Sequence, residues 1–153
     1  MKKIDTHIIT RNKKASFSYT LSDFFICGIQ LKGSEIKSIR LKKVNISEAY
    51  CIVNNNEVYL KNMDIEKYEF CCQEDYHPKR QRKLLLNKNE IKKIKKSLDE
   101  KGMSIIPTKL IINQKGFAKI EIAIGKGKKT HDKRHSLKEK DAKREIAKQT
   151  RIK

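Results

Sequence analysis

The stretch RKLLLNKNEIKKIKKSLDEKG, residues 82–102, decides the fold. It predicts the most clearly marked helix of the chain, because Asn87 can cap it, Glu90 stands three positions later as the reciprocal partner, and Gly102 can end it. The helix has one apolar stripe, made of Ile91, Ile94 and Leu98. A helix with these signals argues against a sandwich built of strands only.

Short strands are predicted on both sides of this helix. Phe17, Tyr19 and Leu21 alternate with polar residues, and residues 26–31 and 110–112 are apolar runs. Residues 49–53 and 57–63 are predicted to be two strands joined by a turn at Asn54–Asn56, and residues 117–124 a strand that follows a turn at 114–116. A second, short helix begins near Ser34, and residues 66–81 form a loop. Five or six strands with two helices predict a β-dominated fold with helices, a small β-barrel of the oligonucleotide-binding type.

The chain divides into three parts. Residues 1–14 are predicted to be a flexible basic arm, residues 15–124 the barrel with two or three short helices, and residues 125–153 a disordered basic C-terminal tail. The tail holds 12 Lys and Arg against four Asp and Glu, a net charge of +8. It has almost no apolar side chains to bury, so we expect it to order only when a polyanion neutralises it.

The charge of the whole chain identifies the class of partner. A net charge of +19 and a pI near 9.8 require a polyanion. The tail lacks the apolar face that a membrane-surface helix needs, and no apolar run is long enough to span a bilayer. The sequence therefore predicts a cytoplasmic nucleic-acid-binding protein with no membrane partner.

No arrangement of residues predicts catalysis or a metal site. The histidines are His7, His77, His131 and His135, all in predicted loops or tails without a rigid support. None of the four cysteines forms a CxxC pair, so reduced thiols are expected. Neither an enzyme, a cofactor nor a bound metal is predicted.

Basic residues form three clusters that could contact phosphates. They are Lys37, Arg40, Lys42 and Lys43; Lys79, Arg80, Arg82 and Lys83; and Lys126, Lys128 and Lys129. Each cluster alone is typical of a solvated face, but several together favour nucleic acid, whose affinity comes from many phosphate contacts. The aromatic residues Tyr19, Tyr59, Tyr76 and Phe117 could stack on bases, although their alternation with polar residues is more typical of a core.

Six segments resemble one family. They are NKKASFSY (12–19), GIQLKGSEIKSIR (28–40), NISEAY (45–50), RKLLLNKNEI (82–91), KGMSIIPTKLI (101–111) and GKGKKTHDKR (125–134). Their identities and order resemble the SsrA-binding proteins, also called small protein B, across nearly the whole chain. The resemblance implies a monomeric barrel protein, without enzymatic activity, that binds the tRNA-like domain of transfer-messenger RNA. It also implies delivery of that RNA to stalled ribosomes, where the tail becomes helical in the decoding centre and messenger channel.

The resemblance also implies which residues act. RNA contacts fall on Asn12, Lys13, Lys14, Leu85, Asn87, Lys119, Lys126, Lys128 and Lys129, and contacts with the ribosomal decoding centre on His131, Asp132, Lys133 and Arg134. One departure is Ile26, where many members carry an acidic residue.

Two other functions remain open from the residues alone. A general rRNA-binding structural or assembly protein would share the fold and the charge, and an RNA-processing enzyme would need a metal or carboxylate cluster. The GKGKKTHDKR junction and its tail argue against the first, and the absence of such a cluster in the sequence argues against the second.

Overall fold

The structure is a computed structural model that describes residues 7–151. Within that range the chain forms nine strands and four helices. In order they are β1 (His7–Arg11), α1 (Lys13–Ser18), β2 (Tyr19–Ile29), α2 (Gly33–Arg40), β3 (Val44–Asn45), β4 (Tyr50–Asn54), β5 (Glu57–Lys61), β6 (Asp64–Ile65), β7 (Arg82–Leu85), α3 (Lys88–Leu98), β8 (Met103–Ile112), β9 (Ala118–Gly127) and α4 (Thr130–Thr150).

Six antiparallel strands close into a barrel. The hydrogen-bonded order is β8-β4-β5-β7-β2-β9, and β9 pairs back with β8 to close the ring. Strand β1 adds to the outer side of β8, and β3 and β6 form a separate two-stranded sheet. The predicted barrel is therefore confirmed, with three short helices in its body and a fourth in the tail.

Isoleucine and leucine side chains fill the barrel. Ile120, Ile122 and Ile124 of β9 are fully buried, as their alternation predicts. Ile94 of α3 is also fully buried and closes the core from the helix side. Each such side chain stabilises the fold by about 1.5–3 kcal/mol.

The predicted helix and the asparagine turn are both present. The backbone N–H of Asn87 donates to Glu90 Oε2 at 2.9 Å, the reciprocal bond of a capping box. Helix α3 ends at Leu98, however, and Gly102, with φ of +84°, lies in the turn into β8. Between β4 and β5, Asn55 and Asn56 have φ of 48° and 60°, which asparagine tolerates in a hairpin turn.

The predicted N-terminal arm is wrong for residues 7–14, and its first six residues lie outside the described range. His7–Arg11 pair with β8, and Ile9 is buried against the barrel. Helix α1 follows at Lys13–Ser18, where the alternation of Phe17 and Tyr19 had predicted strand. Residues 7–11 form a strand because the outer edge of β8 offers them hydrogen-bond partners, which the sequence does not reveal.

Strands β8 and β9 are longer than the sequence predicts. Strand β8 begins at Met103 and includes Pro107. The register shifts between Pro107 and Lys109, and such a bulge accommodates proline within a strand. Strand β9 continues to Gly127, which pairs with Tyr19. The barrel therefore ends at residue 127, three residues beyond the predicted boundary.

The tail forms helix α4 over Thr130–Thr150, and none of its residues is buried. Beyond the contact of its first turn with the barrel, the helix has local interactions such as the pair between His135 and Glu139 at 3.4 Å. Local interactions of this kind leave a helix in water marginal. Disorder of the tail in the free protein stays a prediction.

Candidate nucleic-acid interface

A row of three residues crosses three neighbouring strands at one end of the barrel. Gly28 of β2 pairs with Leu85 of β7 on one side and with Lys119 of β9 on the other. Directly opposed residues point to the same face of a sheet, so the two side chains share one outer surface. Leu85 is 56% exposed and Lys119 is half-buried. The row offers an apolar contact beside a cation, a combination suited to RNA.

The glycine in this row is closely approached by the side chain of Leu85. A Cβ at position 28 would lie 3.2 Å from Leu85 Cδ1. This contact is tighter than an ordinary one, so a side chain there would make Leu85 shift by a few tenths of an ångström.

Asn87 joins the same surface from the start of α3. It lies two residues beyond Leu85, and it is exposed while its backbone caps the helix. The N–H groups and dipole at a helix N-terminus favour an anion. Leu85, Asn87 and Lys119, three of the predicted RNA-binding residues, are thus brought together and are called the Lys119 patch below.

The other predicted lysines gather at the far end of β9. The Lys128 backbone N–H donates to the Ser18 carbonyl oxygen at 2.9 Å, and Lys128 Nζ donates to that of Ser16 at 3.1 Å, which ties α1 to the end of β9. Lys14, Lys128 and Lys133 line one cleft of about 600 Å³. The Lys128 patch comprises Lys13, Lys14, Lys126, Lys128 and Lys129.

The two patches lie at opposite ends of β9, because Lys119 is near its start and Lys126 is near its end. Lys128 is nine positions beyond Lys119 in the chain and directly follows β9, which corresponds to at most about 30 Å along a strand. A ligand that touches both patches must span most of the length of β9, as a folded RNA does.

Asn12 belongs to the interior and not to the predicted RNA-binding surface. It is buried, and its Oδ1 accepts from the Ala15 N–H at 3.1 Å as the cap of α1. Its Nδ2 donates to the carbonyl oxygens of Ile46 and Pro107 at 3.3 and 3.0 Å. The amide is therefore used within the protein, where it fixes the helix that carries Lys13 and Lys14.

The second predicted basic cluster is largely an internal ion-pair network. Arg82 is fully buried, and its Nη2 lies 2.8 Å from Oε1 of the fully buried Glu35. Arg80 Nη2 lies 2.6 Å from Glu35 Oε2. The network joins α2 to β7, the strand that carries Leu85, so these arginines position the Lys119 patch and are not free to bind phosphate.

Hydrogen bonds keep Glu35 charged. Burial opposes the charge, but hydrogen bonds from Arg80 and the Lys32 N–H, together with the Arg82 guanidinium, lower the pKa of Glu35 below its usual value. Arg82 also donates to the carbonyl oxygens of Met63, Arg80 and Pro78 at 2.7, 3.1 and 2.9 Å. These bonds hold the end of the 66–81 loop against β7.

Other ion pairs lie on the surface and can exchange with phosphate. Lys14 pairs with Glu48, and Lys126 Nζ lies 3.6 Å from Glu100 Oε1. All four side chains are mostly exposed. Exposed pairs contribute little to stability, so their lysines remain available to an RNA.

The predicted decoding-centre residues occupy the first turn of α4. His131, Asp132 and Arg134 are exposed, and Lys133 faces the cleft of the Lys128 patch. The tail segment therefore begins directly beside the barrel's second cationic patch.

Three exposed apolar residues were not predicted as surface. Phe24, Ile26 and Phe117 are 56%, 58% and 63% exposed, whereas the sequence favoured a core position for Phe117. Strand alternation alone cannot tell which face of a barrel strand is covered. The paired phenylalanines at 24 and 25 are the one signal, because adjacent strand residues point to opposite faces.

The described residues add two negative findings. Across residues 7–151 no group of three or more His, Cys, Asp or Glu side chains has a metal-binding arrangement. No helix in the same range is long and apolar enough to cross a membrane.

Cys27 and Cys51 are buried in the core, and burial, followed by the nearby Glu90 carboxylate, raises the pKa of Cys27 to about 12.

The sequence matches a known protein family and its curated members. The model of the SmpB protein family matches residues 9–152. The SsrA-binding protein of Cytophaga hutchinsonii is 48% identical over 145 residues, which cover 95% of each chain. That of Flavobacterium johnsoniae is 49% identical over 135 residues, 88% of this chain and 89% of the other.

A solved structure agrees with these relatives. A chain described under "tmRNA-SmpB: a journey to the center of the bacterial ribosome" superposes with a TM-score of 0.66 at 34% identity. The match covers 79% of this chain and 85% of that one. The likeness therefore extends from sequence to fold.

Proposed function

The chain belongs to the SmpB protein family, and on that premise we propose that it binds the tRNA-like domain of transfer-messenger RNA and delivers it to stalled ribosomes. There the RNA would serve trans-translation, in which the incomplete chain is tagged for degradation. The observation that carries the proposal is the row of Leu85, Gly28 and Lys119 on three paired strands. Two of its members, with Asn87 beside them, are positions that the family resemblance assigns to RNA.

The barrel and the tail have separate roles in this proposal. The Lys119 patch and the Lys128 patch contact the RNA, and Asn12 acts by holding the helix that carries Lys13 and Lys14. The tail, with His131, Asp132, Lys133 and Arg134 at its start, contacts the decoding centre and the messenger channel. The lack of any buried residue in α4 supports this division, since such a helix is free to bind elsewhere.

The proposed role is that of a binding protein. It requires positioning of one RNA on another and no covalent chemistry, so we propose that the chain is not an enzyme and needs no cofactor. The partners are cytoplasmic, and we propose the same location and a monomeric state for the protein.

Lys119→Ala tests the RNA-contact assignment. The variant is expected to bind the isolated tRNA-like domain more weakly, and the slope of log K against log salt should fall by about 0.9, the contribution of one phosphate. Binding is measured by filter retention or anisotropy over a series of salt concentrations.

Lys61→Ala is the matched control, since Lys61 is a half-buried lysine on the outer side of β5, a strand that contributes no residue to either patch. The control should keep the wild-type slope. A Lys119→Ala protein with an unchanged slope would remove Lys119 from the RNA contacts.

A further inference from the structure

Phe24 has an exposed aromatic ring, and a bulge in β2 directs it outward. The register with β9 shifts between Ser22 and Phe24, and Asp23 takes a φ of 46°. After the bulge, Phe25 turns toward the core and Phe24 turns outward, where it is 56% exposed. An apolar ring on the outer surface does not contribute to the packing of the core, and exposed apolar surface of this kind can mark a binding site.

Two lysines of α3 stand beside this ring. A cavity of about 520 Å³ lies between β2 and α3, lined by Asp23, Phe24, Phe25, Lys93, Lys96 and Ser97. Both lysines are exposed, and among residues 7–151 neither forms an ion pair. The cavity contains one acidic side chain against two basic ones, so it favours an anion next to an aromatic face.

The cavity lies between the two cationic patches. Along β2, Gly28 pairs with Lys119 of the first patch and Thr20 pairs with Lys126 of the second. Phe24 is midway between them, about 13 Å from each along the strand. An RNA that reaches from one patch to the other passes this position.

We propose that Phe24, Lys93 and Lys96 form a nucleotide-binding site in which an unpaired RNA base stacks on the Phe24 ring and the adjoining phosphate lies between the lysines. The proposal rests on the proposed function, because the RNA that spans both patches is the ligand. The cavity volume lies in the range of small-ligand sites and suits a single nucleotide. Aromatic stacking with cationic neighbours is the usual means of holding an unpaired base.

The first test uses a single tryptophan as a reporter. The chain contains no tryptophan, so Phe24→Trp introduces a unique fluorophore that can still stack. Addition of a transcript of the tRNA-like domain is expected to quench its emission. Phe70→Trp is the matched control, since Phe70 is 74% exposed and lies in the 66–81 loop, and its emission should stay unchanged.

The second test separates stacking from charge. Phe24→Ala is expected to weaken binding of the same transcript about tenfold with an unchanged salt slope, because stacking carries no counterion release. Lys93→Gln with Lys96→Gln should lower the salt slope by about one to two. Circular dichroism verifies that both variants fold.

The outcomes distinguish this site from the proposed function. Tight binding of the transcript without quenching at position 24 would overturn the site and leave the function standing. Failure of the wild-type protein to bind the transcript, with quenching by a single-stranded oligoribonucleotide, would overturn the function and support the site.

Discussion

Truncation of the chain after Lys129 is expected to abolish tagging of nascent chains on stalled ribosomes while leaving affinity for the tRNA-like domain almost unchanged. The deletion removes Thr130–Thr150, a helix that buries no residue. The barrel therefore loses no core contact, and both the Lys119 patch and the Lys128 patch remain. What is lost is the segment proposed to lie in the decoding centre.

The measurement is a reconstituted translation assay on a messenger without a stop codon, together with RNA binding at constant salt. A truncation after Thr150 is the control, because it keeps all of α4 and should keep tagging. If the protein that ends at Lys129 still tagged nascent chains, the division of labour between barrel and tail would be wrong.

Glu35→Gln is expected to destabilise the fold by about 3–5 kcal/mol, the usual cost of leaving a buried charge without its partner. The substitution preserves the shape of the side chain but removes the charge that faces Arg82. Arg82 is fully buried, and its Nη2 lies 2.8 Å from Glu35 Oε1. Urea unfolding measures the change. Since β7 is held by this network, RNA affinity should also fall as the Lys119 patch loses its support.

Glu48→Gln is the control, because its pair with Lys14 is exposed and its loss should leave the unfolding midpoint unchanged. Arg82→Met should be less costly in the Glu35→Gln protein than in the wild type, since the two residues act as a unit. Equal costs in the two backgrounds would contradict the coupling.

The same carboxylate makes stability depend on pH. Its pKa in the folded protein lies below the ordinary value of a glutamate carboxyl, so its contribution to stability is present above that ordinary value and is lost as pH falls through the folded pKa. Glu35→Gln should therefore flatten the acid limb of the unfolding curve.

Strong local signals made the core of the fold predictable. Helix α3 could be read from its cap, its stripe and its lysines, and the β4–β5 hairpin from its asparagines. Strand β1 could not, because its structure depends on the free edge of β8, which is distant in sequence. The full length of β8 was hidden by Pro107, which a bulge accommodates.

The position of the candidate site residues was predictable where it depends on local sequence, and their contact with RNA stays a prediction. Leu85, Asn87 and Lys119 do lie together on one surface, as expected from the motifs. Asn12 and Arg82 do not reach that surface, because their partners, the Pro107 carbonyl oxygen and Glu35, come from distant segments. Charge in a sequence therefore does not reveal which side chains are already paired inside the fold.

The most direct measurement of the central claim is the affinity of the purified protein for its own organism's transfer-messenger RNA and for bulk tRNA, at near-physiological salt. Net charge acts on both RNAs alike, whereas the Lys119 patch should favour the first. We expect a preference of about a hundredfold or more for transfer-messenger RNA, close to 3 kcal/mol. Equal affinity for the two would contradict the account and leave a general rRNA-binding protein in its place.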